Sequence, residues 1–301
     1  MHLTRRDFLV RLTFIPGVGR KTILKIWRWL VAQQVTTVTP PVVTDLLTAL
    51  PLGNQVPQIR FGWQQAQVLE RESLNLQYTP YVTLEDPEYP PLLREIYEPP
   101  VVLYYLGDPR LLQAVGLGVV GTRHPSGYAV RAMRQVLPAV VAHPEICLIS
   151  GMAQGVDTLG HQVALAHHGS TVAVLGTGLG RCYPASNREL MRTLTHSQLV
   201  ISEYPWATGP AKFQFVERNR LISGLSQSVL VVEAARRSGS LITANFALQE
   251  NRNVLAIPGP IDAPNSVGTN ELILAGAKPI LNSEHIMEEL LVDKRPSLEI
   301  L

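Results

Sequence analysis

Cysteine is nearly absent: the 301 residues hold two, Cys147 and Cys182. One pair cannot build the disulfide framework of a small secreted domain, and no C-x-x-C spacing is there to hold a metal. Cys147 sits in the apolar run ICLIS, as a reduced core thiol would, and this usage fits a cytoplasmic protein. No apolar stretch approaches the roughly 18 residues needed to span a bilayer, so a membrane is not expected as a partner. Net charge is scarce too, since 26 Lys and Arg against 24 Asp and Glu leave a formal charge of +2. A globally basic surface is excluded, and any hold on nucleic acid must come from a local concentration of cations. Catalytic signatures are missing as well: there is no Walker lysine, no nucleophile elbow, no zinc motif and no carboxylate cluster suited to two magnesium ions. His161, His167 and His168 fall at helical spacing around HQVALAHHG, which puts them on a helix surface rather than at a metal. No cofactor, no metal and no catalytic residue is expected.

What the chain does have falls into textures. From Met1 to about Gln77 apolar residues recur at helical spacing, as in LTRRDFLVRL, TILKIWRWL and GWQQAQVLERESL, which predicts a small all-helical domain over residues 1–78. Arg5 and Arg6 ahead of Phe8 and Leu9 superficially resemble a twin-arginine export signal. Arg11, Pro16, Arg20 and Lys21 break any apolar core there and no small-residue cleavage site follows, so the segment is a folded helix. Residues 79–100, TPYVTLEDPEYPPLLREIYEPP, form a proline-rich connecting segment, extended and wrapped on its neighbour. After Val101 short apolar runs, most ended by glycine, alternate with helical stretches: VVLYYLG, GLGVVGTR, CLISG, TVAVLGTG, LVISE, SVLVVEA and NVLAIPG. Repeated β-α units with strands apolar on both faces predict an α/β, doubly wound parallel sheet of Rossmann type over residues 101–292, followed by a tail, 293–301.

In such sheets ligands bind beyond the carboxyl ends of the strands, where glycine turns and helix N-termini leave amides free to meet anions. Gly121, Thr122 and Arg123 end one run and offer a close backbone approach, a hydroxyl and a planar guanidinium matched to phosphate; a tight turn with a solvated arginine is the alternative. Ser238, Gly239, Ser240 and Thr243 open a helix and can hold a phosphate or merely cap it. Ser150 and Gly151 close a strand in SGMAQGVD, where their backbone is a further candidate for phosphate; Asp157 there lacks the partner a general base needs. GTGLG at residues 176–180 only weakly resembles a dinucleotide fingerprint, because its third glycine comes too soon. The stretch KFQFVERNRLISGLS concentrates Lys212, Phe215, Arg218, Asn219 and Arg220, cations plus a flat ring, which suits a single-stranded polynucleotide. Near the N-terminus FIPGVGRKTILKIWRWL matches a helix-hairpin-helix, in which the amides of Gly17 and Gly19 can grip a DNA phosphate with Arg20 and Lys21 adding charge; a purely structural turn is the alternative.

Taken in order, DPEYPPLLREIYEPPVVLYYLGD, VVGTRHPSGYA, ISGMAQGVDTLGH, ERNRLISGLSQSVLVVEAARRSGSLITA, LAIPGPI and GTNELILAGAKPIL resemble the DNA-processing protein A (DprA/Smf) family along nearly the whole chain. The resemblance implies a non-catalytic protein that binds and protects incoming single-stranded DNA and loads a RecA-type recombinase on it during natural transformation. It implies a homodimer and, as a further partner, a single-strand-binding protein. Carried over by position, Arg123 is the main phosphate ligand, Lys212 a second, and Phe215 the base-stacking ring; within Arg218, Asn219 and Arg220 at least one faces the strand while another braces the fold. The family's dimer helix corresponds to TNELILAGAK, with Asn270, Ile273 and Leu274 at the interface. Two departures are visible: Val216 stands where many relatives have proline, and the chain ends at Leu301, where many continue into a winged-helix-like domain. The competing reading is a Rossmann-like nucleotide-processing enzyme of the phosphoribohydrolase kind, for which AIPGPID lacks the glycine pair and following glutamate.

Overall fold

The structure, a computed structural model, describes residues 2–291; the tail expected at 293–301 lies outside them. Eleven strands occur among the described residues: β1 (Leu3–Thr4), β2 (Thr37–Val38), β3 (Tyr81–Thr83), β4 (Val102–Gly107), β5 (Val115–Val120), β6 (Ile146–Ser150), β7 (Ser170–Leu175), β8 (Leu199–Ser202), β9 (Ser228–Val231), β10 (Asn253–Ala256) and β11 (Lys278–Pro279). Nine of them form one sheet in the order β11-β10-β9-β5-β6-β7-β8-β4-β3. From β11 to β8 every pairing is parallel. The apolar runs ICLIS and STVAVL lie in the middle of this sheet and are almost wholly buried, which is why they read as continuous and not alternating. Helices such as Gly127–Val136, Val156–Ala166, Lys212–Gly224 and Gly239–Gln249 form the crossovers. The chain winds one way from β5 to β8 and then returns to β9 on the other side of β5. The switch point therefore opens between β5 and β9 at their carboxyl ends.

Two apolar layers sandwich the sheet. On one side Met133, Val140 and Ile286 pack with Leu117, Leu148 and Leu230. A second cluster runs from Tyr104, Val174 and Leu221 to Phe8, Leu30, Leu46 and Trp63 of the N-terminal helices, so the helical part and the sheet share one core. Arg5 and Arg6, the pair that resembles an export signal, bind Glu85 and Asp86, and Arg6 also lies over the Tyr81 ring at 4.3 Å. These contacts clamp the first helix, Arg5–Leu12, to the connecting segment.

Three local expectations are corrected. The sheet is mixed, because β4 runs antiparallel to β8 and β3 antiparallel to β4. The segment over 79–100 therefore supplies an edge strand besides its extended cover; a short strand next to prolines blunts an otherwise open edge. The N-terminal part is helical but not wholly so, since β1 pairs with β2 and ties the start of the first helix to the turn after the helix Arg20–Ala32.

His161 is the third correction: it is fully buried, while His167 and His168 are exposed. The Thr171 hydroxyl donates to the Leu148 carbonyl, so it accepts from His161 Nδ1–H at 2.7 Å and leaves the unpartnered Nε2 as the basic site. Burial, helped by the charge of Arg218, lowers its pKa to about 3. The unfolded chain takes up a proton below its ordinary value near 6.5 while the folded chain does not, so stability is flat above that pH and falls as pH drops from 6.5 toward 3. Urea unfolding at pH 5 against pH 7 should show a loss of about 2 kcal/mol in the parent chain that is missing from the pH dependence of His161→Gln. Equal pH dependence in the two proteins would refute the assignment.

Candidate nucleic-acid interface

Three chain-distant turns meet at the carboxyl edge of the sheet. The first follows β5. Thr122 N donates to the Glu233 carbonyl at 2.8 Å, which ties this turn to the end of β9, and Val156 N donates to the Thr122 carbonyl at 3.2 Å. Gly155, at φ +86°, lies so close beneath that a Cβ there would come within 2.5 Å of the Thr122 oxygen, so only glycine lets the turn settle. Arg123 is held out from this seat, exposed and without an acidic partner among the described residues.

The second turn opens the helix Lys212–Gly224, whose start is fixed by the Gln214 side chain accepting from Ala211 N at 2.7 Å. Lys212 is exposed at its first position. Phe215 lays its ring on Gly176 at the end of β7, where a Cβ would stand 2.7 Å from the ring. The third is Ser238, whose hydroxyl accepts from Ser240 N at 3.3 Å and caps the helix Gly239–Gln249. The unsatisfied amides and dipole of this N-terminus favour a negative charge in front of it.

These turns enclose a cleft of about 530 Å³, lined by Gly121, Thr122, Arg123, Lys212, Phe215, Arg218, Asn219, Ser238, Gly239, Ser240 and Thr243. Arg218 forms part of its floor. The guanidinium is buried and donates to the carbonyls of Gly151 at 2.8 Å and Val174 at 2.5 Å, bridging the ends of β6 and β7. Burial pulls its pKa below the ordinary arginine value, with the nearby Asp157 acting the other way. Asp157, also buried, accepts from Gly151 N and Ala153 N; burial raises its pKa against the opposing pull of Arg218. It is the one carboxylate among the lining residues and works as a brace for the turn over 151–153.

Several predicted contacts lie elsewhere. Arg220 faces the other way and pairs with Glu203 at 2.6 Å in the interior. Helical geometry requires this, because residues two apart cannot share a face. Ser150 is fully buried and donates to the Val119 carbonyl, while Gly151 spends its N–H on Asp157 and is covered by the Arg218 guanidinium. Neither is open to a phosphate. Gly17 and Gly19 are exposed at the helical hairpin, and Gly19 lines a different cavity, with Phe213 and Glu217. Arg20 is taken by Glu98 and Glu217, and Lys21 by Glu98, so the hairpin's charge is spent on contacts between the two parts of the chain. Asn270 holds Gly259 through both N–H and C=O at 3.1 and 3.0 Å and so braces a loop, and Leu274 is 90% exposed.

Among the lining residues not predicted is a second aromatic. Tyr183 is half-exposed and its ring centroid lies 5.0 Å from that of Phe215 at an interplanar angle of 35°. The two rings form one broken aromatic wall. An aromatic next to Pro184, a few residues beyond a glycine-rich strand end, was the only available signal.

Fold and cleft together define a Rossmann-like protein whose carboxyl edge carries a cleft lined by exposed cations. The chain belongs to the family of DNA recombination-mediator protein A, whose model matches residues 80–291. It is 34% identical to DNA processing protein DprA of Bacillus subtilis over 270 residues, 89% of each chain. DprA of Streptococcus pneumoniae is 41% identical over 217 residues, 72% of this chain and 76% of that protein. Protein Smf of Synechocystis is 42% identical over 214 residues, 70% of this chain, but the match spans only about half (54%) of that longer relative. Among solved structures, DprA from Streptococcus pneumoniae superposes with a TM-score of 0.83 at 32% identity, covering 96% of this chain and 99% of that one. A structure giving insights into the single-stranded DNA binding mode of DNA processing protein A from Helicobacter pylori superposes at 0.63 and 30% identity, covering 72% of this chain and 98% of that one. No helix among the described residues is long and apolar enough to cross a membrane, and no group of three or more His, Cys, Asp or Glu among them could hold a metal.

Proposed function

We propose that this chain binds single-stranded DNA in the cleft at the β5–β9 switch point and acts without chemistry of its own, protecting the strand and presenting it to a RecA-type recombinase. One observation carries the reading: Arg123 from the turn after β5, and Lys212 and Phe215 from the first turn of the helix Lys212–Gly224, share a cleft whose only carboxylate is buried beneath it. Unpaired cations hold the phosphates, the helix N-terminus at Ser238 adds backbone donors, and the Phe215 ring offers a face on which an unstacked base can lie, worth ~1–3 kcal/mol. A duplex keeps its bases stacked inward and cannot use that ring. The relative from Helicobacter pylori, described by its single-stranded DNA binding mode, supports the same assignment.

Association as a homodimer through the helix Val267–Leu274 belongs to the same proposal. Leu274 and Ile261 are almost fully exposed, and Asn270 pins the loop that carries Ile261 beside that helix. Apolar side chains this exposed are better covered by a second copy than by water.

The test is a titration with fluorescent oligothymidine and with duplex of equal length. At least tenfold preference for the single strand is expected, together with a log–log salt slope of about −1.4 or steeper from two neutralised phosphates at ~0.7 each. Equal affinity for duplex, or release of free base from a nucleotide by the purified chain, would overturn the reading.

A further inference from the structure

We infer that the strand does not stop at the cleft but continues along the carboxyl edge of the sheet to a second aromatic platform, Tyr78 and Trp206, which binds further nucleotides. The inference rests on the proposed function of the cleft and extends it.

Tyr78 and Trp206 stack with ring centroids 6.0 Å apart and planes 30° from parallel. They border a groove of about 680 Å³ between the helix Ala66–Tyr78, the hairpin turn over 13–16 and the loop after β8. On that helix Arg71, Leu74, Asn75 and Tyr78 follow the i, i+3, i+4, i+7 spacing of a single face. Leu74 is 53% exposed and Tyr78 55%, so the face carries apolar and aromatic surface that no other described residue covers. Asn75 anchors the platform, its side-chain oxygen accepting from Trp206 N at 2.6 Å.

Continuity with the cleft comes from the loop after β7. Gly176 seats Phe215, while Gly178 and Gly180 on the same loop donate to the carbonyls of Thr208 and Trp206 at 2.9 and 3.0 Å. A Cβ on Gly180 would stand 2.6 Å from the Trp206 indole. Gly180 lies four positions after Gly176, at most about 14 Å of extended chain, and the loop exposes Tyr183 and Arg181. Phe215, Tyr183, Trp206 and Tyr78 thus follow one edge within the reach of a few nucleotides.

Charge selects the occupant. The only charged residue lining this groove is Arg71, which is exposed and has no acidic partner among the described residues; Arg181 between the two sites is likewise unpaired. The neighbouring cavity, between the hairpin and the helix Lys212–Gly224, is instead lined by Arg20 and Lys21 together with Glu203 and Glu217, and its cations are already paired with Glu98 and Glu217. Stacked rings flanked by free guanidinium groups suit bases on a backbone of phosphates better than an apolar or acidic peptide.

The experiment compares oligothymidines of about 5 and about 15 nucleotides, the lower and upper ends of a single-strand site. The parent chain should bind the longer strand at least tenfold more tightly. Tyr78→Ala should lose about tenfold on the longer strand with an unchanged salt slope, and Arg71→Gln should lower that slope by about 0.7. Neither should alter affinity for the shorter strand or the urea midpoint. Indole emission should be quenched by the longer strand in the parent chain and not in Trp206→Phe. If the shorter strand fails to bind, or Phe215→Ala leaves its affinity intact, the reading of the cleft falls and the extension with it. If the cleft behaves as proposed but Tyr78→Ala and Arg71→Gln bind the longer strand like the parent, the extension alone is refuted.

Discussion

Arg220→Ala should destabilise the chain by about 3–5 kcal/mol, a large share of the ~5–15 kcal/mol that holds an ordinary domain together. Arg220 and Glu203 are both buried, and one guanidinium nitrogen meets both carboxylate oxygens at 2.6 Å. Removing the arginine leaves a carboxylate in the interior beside Tyr89 and Tyr204, with only Arg20, already paired with Glu98 and Glu217, as a nearby positive charge. The pair itself need not be a net gain, since two ions must be desolvated to form it and Arg220 Nε and Nη1 have no hydrogen-bond partner among the described residues. Arg220→Met combined with Glu203→Leu should therefore recover most of the loss. Urea denaturation of both singles and the double measures this. If Arg220→Ala unfolds at the parent's midpoint, the buried pair has been misjudged. A binding assay alone would mislead here, because a partly unfolded variant binds DNA poorly for reasons unconnected with contact.

Opposite behaviour is expected of Arg123→Ala and Phe215→Ala, which should weaken single-strand binding strongly while leaving the fold intact. Arg123 is exposed and unpaired, so its loss costs little stability, and its charge should appear as a salt slope shallower by about 0.7. Phe215→Ala should cost ~1–3 kcal/mol of binding, about 5- to 150-fold, with the slope unchanged, because a ring neutralises no phosphate. Phe215→Tyr should keep most of the affinity. Titrations at several salt concentrations separate the two effects. A slope change in Phe215→Ala, or none in Arg123→Ala, would mean that the roles of charge and ring are wrongly divided.

The contrast between Arg123 and Arg220 shows what local sequence can and cannot say. Both sit in blocks dense with cations, and composition treats them alike. The difference lies in Glu203, which occupies the end of β8, where the helix Lys212–Gly224 presents Arg220 to it across the interior. Arg20 and Lys21 were similarly promising beside the hairpin glycines until Glu98 and Glu217, distant in sequence, claimed them. Tyr183 was invisible for the converse reason: alone it is an ordinary loop aromatic, and it acquires a role only beside Phe215.

Periodicity alone determined the alternating strands and helices, the helical N-terminal part and the carboxyl edge as the place to seek a ligand, because burial on both faces of a parallel sheet dictates which residue types can occupy each position. Glycine turns likewise marked where backbone could approach an anion, since that freedom is a property of the residue itself. Tertiary structure decided which cations remain unpaired, that β3 and β4 reverse the sheet's direction, and that Tyr183 meets Phe215 and Tyr78 meets Trp206. Those outcomes depend on which side chains meet across the fold, and a charge or ring has no fixed meaning until its neighbours in space are known.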